Sequence, residues 1–231
     1  METPVKAAAQ KASEAPRPST KARILQVAQE VFAERGFDGA STREIAGRAG
    51  VNISSLHYHW DSKETLYLAV FEHVFRQLVD LVKDEITRPT SAAQAREMIE
   101  KTMGITFDFL ADDPTIPKLL IRRLIESTGE SPRRERGVMG PTWRTFENWT
   151  KEFSGDRLAS EEVSFVLLTV QSVLLVSMLD SPHVATMLGG TIESPALRGR
   201  LRSRVIDLVE KLMGLEDLED PEDPEDQKEK R

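Results

Sequence analysis

Between Ser19 and about Met213 the apolar residues recur at spacings of three and four, and nowhere do they alternate with polar residues over the length of a strand. The pattern predicts an all-α chain. Ile24, Leu25, Ala28, Val31 and Phe32 form one stripe. They predict a first helix that starts at Ser19 or Thr20 and stops at Gly36, with Phe37 folded back onto Phe32 in a Schellman-type contact.

Ser41-Thr42-Arg43-Glu44 reads as a capping box opening a short second helix, with Ile45, Ala46 and Ala49 inward before the turn Gly50-Val51. Asn52 caps a third short helix that runs through Ser54, Ser55 and Leu56 to about Tyr58. Asp61, with Glu64 three residues on, opens a long fourth helix to about Ile86. That helix is apolar on more than one side: Leu66, Val70, Val74, Leu78 and Val82, but also Phe71 and Phe75. Such a helix packs on both flanks.

Further helices are predicted for Ser91 to Leu110, Pro117 to Glu126, a segment ending at Phe153 that carries Trp143, Phe146 and Trp149, then Ser160 to Leu179 and Pro195 to Met213. Pro and Gly breaks separate them, and a polar stretch covers Ser127 to Pro141. The resulting division is a disordered arm over 1–18, a three-helix domain over 19–65, a helical body over 66–214 and an acidic disordered tail over 215–231.

Composition changes this picture in three places. Cysteine is absent, which removes disulfides, thiol nucleophiles and cysteine-based zinc sites and suits a reducing compartment. The greasiest window, Val163 to Leu179, is interrupted by Ser164, Thr169, Gln171, Ser172 and Ser177, so no membrane partner and a cytoplasmic location are expected. The formal net charge of −7 argues at first against a polyanionic partner. However, the segment after Leu215 holds nine acids against Lys228, Lys230 and Arg231, six of the seven net negative charges. The body is therefore almost neutral, and a local basic face remains open.

Candidate chemistry concentrates between Ser41 and Lys63. Two short helices across a Gly-containing turn are the plan of a helix-turn-helix. Recognition helices carry short polar side chains at an exposed N-terminal end, where base edges come within reach. Ser54 and Ser55 fit that need, flanked by the hydrogen-bonding groups of His57, Tyr58 and His59. Lys63 falls in the first turn of the fourth helix, a seat for a phosphate. Asp61 and Glu64 are an alternative explanation, because they could simply neutralise it. Arg43 is open to a similar second reading, as a solvated partner of Glu44 or Glu30.

The run ILQVAQEVFAERGFDGASTREIAGRAGVNISSLHYHWDSKETLYLAV, Ile24 to Val70, resembles the DNA-binding region of the TetR family of transcriptional regulators over nearly its whole length. The resemblance joins the FAERGF corner, the STREIA helix, the AGV turn and LHYHW followed by SKE. It implies that Thr42 and Lys63 hold phosphates, and that Arg43 reaches a base or a phosphate. Ser54 and Ser55 would face bases in the major groove, with Tyr58 and His59 adding base or backbone contacts. Two positions depart from the family pattern. His57 stands where tyrosine is usual, exchanging a phenol contact for an imidazole one, and Trp60 replaces the commoner Phe.

The same resemblance implies a ligand-responsive repressor that binds a near-palindromic, double-stranded operator as a homodimer and is released by an amphipathic or hydrophobic small molecule. The alternative is a constitutive DNA-binding protein with no effector. In the body, Met103, Phe107 and Leu110, and likewise Trp143, Phe146, Trp149 and Phe153, lie at helical spacing, which suits a core. By family likeness the body is an effector pocket that draws on Phe75, Met103, Phe107, Trp143 and Phe146, with Thr106, Asn148 and Gln171 to orient a guest. Residues 160–179 and 195–213 are the expected dimer helices, or else part of an intramolecular core.

No enzyme is expected, since there is no Ser-His-Asp plan and no phosphate-cradling glycine loop. No cofactor is expected either. His57 and His59, two apart, fall on different helix faces, so no metal site is expected there.

Overall fold

The computed structural model describes residues 18–126, 144–152, 154, 158–179 and 181–215. The expected arm up to Arg17, the acidic tail beyond Leu215, the Ser127–Pro141 stretch, Trp143 and Phe153 lie outside these residues. Among the described residues every regular element is a helix. In chain order they are α1 (Thr20–Gly39), α2 (Thr42–Arg48), α3 (Ile53–His59), α4 (Lys63–Val82), α5 (Ala92–Asp112) and α6 (Thr115–Glu126). Then follow α7 (residues 144–152), α8 (Ser160–Ser177), α9 (Pro182–Leu188) and α10 (Pro195–Leu212).

Four predicted starts, Ser41 among them, hold because a side chain caps them. Ser19 accepts from the Ala22 amide at 3.1 Å, Asn52 from Ser54 at 2.9 Å and Ser91 from Gln94 at 3.2 Å. Three details differ from the expectation. The cap of α4 is Ser62, not Asp61: the Ser62 hydroxyl accepts from the Thr65 amide, and the Thr65 hydroxyl accepts from the Ser62 amide, each at 3.1 Å. The capping box at α2 is only half made. Ser41 accepts from the Glu44 amide, but the Glu44 carboxylate pairs with Arg35 at 3.0 Å and Arg48 at 2.9 Å. Lastly, α9 was not foreseen. It is a short piece behind Pro182, closed by Gly189.

Gly36 does end the regular part of α1, at φ 73° and ψ −178°, and a short helical continuation then runs to Gly39. Phe37 stacks near Phe32, their ring centroids 6.4 Å apart, and both meet Tyr67 of α4 edge-on at about 5 Å. At the far end α4 stops at Val82, short of the predicted Ile86.

One apolar core crosses the expected boundary at 65/66. Ile24, Ala28, Val31 and Phe32 of α1 share it with Ile45, Leu56 and Trp60, with Leu66 to Val74 of α4, and with Phe107, Leu119, Leu120 and Leu175 of the body. The two-sided apolarity of α4 is explained by its contacts with α1 on one side and α5 on the other. A smaller cluster joins Ile99 of α5, Val166 of α8 and Ile206, Val209, Met213 and Leu215 around α10. Leu215 is buried there, and its carbonyl accepts from Arg96 at 2.8 Å, so the packed body includes it. No single helix among the described residues is long and apolar enough to cross a membrane.

Candidate nucleic-acid interface

The corner between α2 and α3 follows from local chemistry. Gly50, at φ 61°, takes the left-handed conformation that glycine adopts without cost. This lets the Val51 amide reach the Ala46 carbonyl at 3.0 Å while the Gly50 amide reaches Gly47 at 3.1 Å, the paired bonds of a Schellman stop. Ile45, Ala46, Leu56 and Trp60 point into the core and fix both helices against α1 and α4. Burying a residue the size of Leu56 is worth about 2–3 kcal/mol, enough to hold a seven-residue helix that could not persist alone.

The opposite face is open. Tyr58 is 85% exposed, and Ser54, His57 and Arg43 are also exposed. Thr42, Ser55 and His59 are partly exposed around them. All eight predicted contact residues therefore belong to one corner, with none sunk in the core. Tyr58 and His59 meet edge to face at 5.2 Å, and His59 lies beside Trp60 at 5.5 Å, so the aromatic run is half anchored and half presented.

The two open readings of the cations separate here. Glu44 is occupied by Arg35 and Arg48, and Arg48 also pairs with Glu34 at 2.9 Å. This network ties α1 to α2; the Arg48 hydrogen bond holds the Glu34 carboxyl below its usual range. Among the described residues no ion pair joins Arg43 to Glu44 or Glu30. Its guanidinium faces outward, as an anion-binding group must. Lys63 has a partner set that the sequence did not suggest. Its ammonium donates to the Phe37 carbonyl at 2.7 Å and the Ala40 carbonyl at 3.1 Å, and sits 4.4 Å from the Phe37 ring centre. An ammonium carries three donors, so one remains for an external acceptor.

Two features escaped the sequence reading. Lys21, at the start of α1, lies 5.9 Å from the Trp60 ring centre, beside the end of α3. Glu126 and Arg122 of α6 bind the end of α1 directly. Neither carries a local motif, since both depend on which helices meet.

The residues expected to line an effector pocket scatter. Phe107 is fully buried in the main core, and Phe75 packs on that core's edge. Met103 packs instead on the smaller cluster. Thr106 donates to the Thr102 carbonyl of its own helix at 2.8 Å. Phe146 meets Trp149 edge-on at 5.5 Å, Asn148 is exposed and Gln171 is half-buried.

The short paired helices, the glycine turn and the outward polar face define a helix-turn-helix on an all-helical scaffold. Residues 24–70 match the family model of the bacterial regulatory proteins of the tetR family, about a fifth of the chain. Over 98 residues it is 36% identical to the HTH-type transcriptional activator FasR of Mycolicibacterium smegmatis, which covers 42% of this chain and 43% of the relative. Over 101 residues it is 35% identical to the HTH-type transcriptional repressor NicS of Pseudomonas putida, covering 44% and 46%.

The matched stretches thus span less than half the length of these relatives. Across most of the chain the fold resembles the FadR regulator of Bacillus subtilis solved with stearoyl-CoA. The TM-score is 0.62 at 18% identity, over 81% of this chain and 96% of that one. The fatty acid degradation regulator FadR of Bacillus halodurans is similar at a TM-score of 0.64 and 17% identity, covering 86% and 96%.

Proposed function

We propose that the protein is a dimeric transcriptional repressor that reads a near-palindromic operator through α2 and α3 and is released by a small apolar or amphipathic effector. The observation that carries the DNA half is the outward array of Thr42, Arg43, Ser54, Ser55, His57, Tyr58 and His59 on helices whose other faces are core. Hydroxyl, imidazole and guanidinium groups on a major-groove helix are the groups that read base edges and phosphates.

Dimerisation is supported by α8. Phe165, Leu168 and Val176 are 64%, 56% and 52% exposed in the single chain, and they recur at helical spacing with Ser172 between them. Beside it, α10 turns its small residues Ala196, Gly199 and Ser203 outward. An apolar stripe next to small residues is what a second copy would cover in a four-helix contact over about residues 160–179 and 195–213. A two-fold axis would then present two copies of α3 to successive major grooves, about 34–36 Å apart.

Effector release rests on α4, which packs against α1 in the reading head and α5 in the body. A guest that binds better when the two heads are mis-spaced lowers DNA affinity by its differential affinity for the two states. The stearoyl-CoA in the B. subtilis neighbour makes long-chain acyl compounds the first guests to try. The test selects a duplex from a random-sequence library with the purified protein, then measures its binding across salt and with added acyl-CoA. Selected sites lacking two-fold symmetry, or affinity indifferent to salt, would remove the operator reading.

A further inference from the structure

Gly36 breaks α1 one turn before its end, and a helix break frees backbone groups to bond elsewhere. Beside the break stand the Phe37 amide and the carbonyls of Ala33 and Glu34. Each is satisfied from α6. The Glu126 carboxylate accepts from the Phe37 amide at 3.1 Å, while Arg122 donates from Nε to Ala33 and from Nη2 to Glu34, both at 2.8 Å. A side chain at Gly36 would fall on the Glu126 carboxylate, so that carboxylate seats directly on the glycine.

In the segment that follows the break, Lys63 takes the carbonyls of Phe37 and Ala40. The segment Gly36–Ala40 is therefore held at the Phe37 N–H by Glu126 of the body and at the Phe37 and Ala40 carbonyls by Lys63 of α4. Ser41, the cap of α2, follows immediately. A ring path runs parallel to this grip: Arg123 lies 4.8 Å from the Phe71 ring, Phe71 meets Tyr67 at 4.8 Å, Tyr67 meets Phe37 at 5.0 Å, and Phe37 carries the Lys63 ammonium.

We propose that Glu126 and Arg122, far outside the DNA-binding region in sequence, are positioning residues for DNA reading that set the Gly36–Ala40 peptide and through it Lys63 and the start of α2. This rests on the reading of α2 and α3 as a DNA-binding corner. Directional hydrogen bonds to a non-helical peptide transmit displacement, because a shift at the end of α6 has either to break them or to carry the peptide along. Input from the body thus reaches the corner through α6 as well as through α4.

The experiment uses the full chain and a duplex that the wild type selects from a random-sequence library. Glu126→Ala should bind that duplex about tenfold more weakly with an unchanged salt slope, since no phosphate contact is lost. Glu126→Gln, whose amide oxygen still accepts from Phe37, should stay within about twofold. Amide exchange over residues 37–43 should quicken in Glu126→Ala and in Arg122→Ala, with or without DNA. Wild-type affinity and wild-type exchange in Glu126→Ala would overturn the proposal, as would a loss of binding matched by the unfolded fraction. If the wild type selects no duplex, the DNA reading itself fails, while exchange still decides whether the clamp exists.

Discussion

The Lys63 ammonium lies 2.7 Å from the carbonyl oxygen of Phe37 and 4.4 Å from the centre of the same residue's ring. One residue at the start of α4 therefore closes the end of α1 from two directions. A lysine used only for phosphate would extend into solvent. Here two of its three donors are spent inside the fold, and whatever the third meets outside is aligned by them.

Two effects of replacing Lys63 by Ala follow and are separable. Loss of the carbonyl bonds should lower stability by about 1–2 kcal/mol, read as a shifted urea midpoint at constant slope. Loss of the proposed phosphate contact should reduce the dependence of log affinity on log salt by about one unit. A lower midpoint with an unchanged salt slope would make Lys63 an internal tie alone.

The exposed side chains of α3 should affect choice of sequence rather than stability. Ser54→Ala, Ser55→Ala and Tyr58→Phe are expected to leave the thermal midpoint in place, because none of the three is buried. Each should lower discrimination between the selected duplex and single-base variants by about 1–3 kcal/mol where it meets a base. Competition binding against a panel of point-changed duplexes makes the measurement. Uniform weakening across the panel would instead assign that residue to the backbone.

An acidic residue in the α8 stripe should prevent pairing of two copies. Phe165→Glu or Leu168→Glu places a carboxylate where an apolar surface would be covered, and half-exposed positions accept it without loss of the monomer fold. Analytical ultracentrifugation should show monomers, and operator affinity should fall by orders of magnitude as the two half-sites cease to be bound together. A variant that remains dimeric would move the interface elsewhere.

His73, half-buried on α4, has its pKa lowered by burial and, to a smaller extent, by the charge of Arg76. The folded chain therefore resists a proton that the unfolded chain accepts at the ordinary histidine value. Stability should be full above that value, fall as the pH drops through it, and level off below the lowered folded value. Thermal midpoints compared at about pH 7.5 and about pH 5.5 should fall further in the wild type than in His73→Gln. Equal falls in both proteins would leave the acid sensitivity to other groups.

Local rules carried the helices and the corner. Ser41, Asn52 and Ser91 cap where their spacing said they would, because a cap needs only its own next three residues. Gly36 and Gly50 take left-handed conformations, and Leu56 and Trp60 are core while Ser54 and Tyr58 are open, all consequences of helical period and residue chemistry. Where two local solutions compete, the nearer-fitting side chain wins: Ser62 displaced Asp61 because Thr65 can return its hydrogen bond.

What lies more than a turn apart along the chain was decided by packing. The partners of Lys63 are 23 and 26 residues away, and Glu126 is 89 from Phe37. No spacing rule reaches so far, since each contact exists only once α1, α4 and α6 have buried their apolar faces together. Sequence periodicity thus determined which residues form the corner and which way they face. Only the assembled core determined what holds that corner in place, because hydrogen bonds between distant groups become affordable only after burial has ordered the chain.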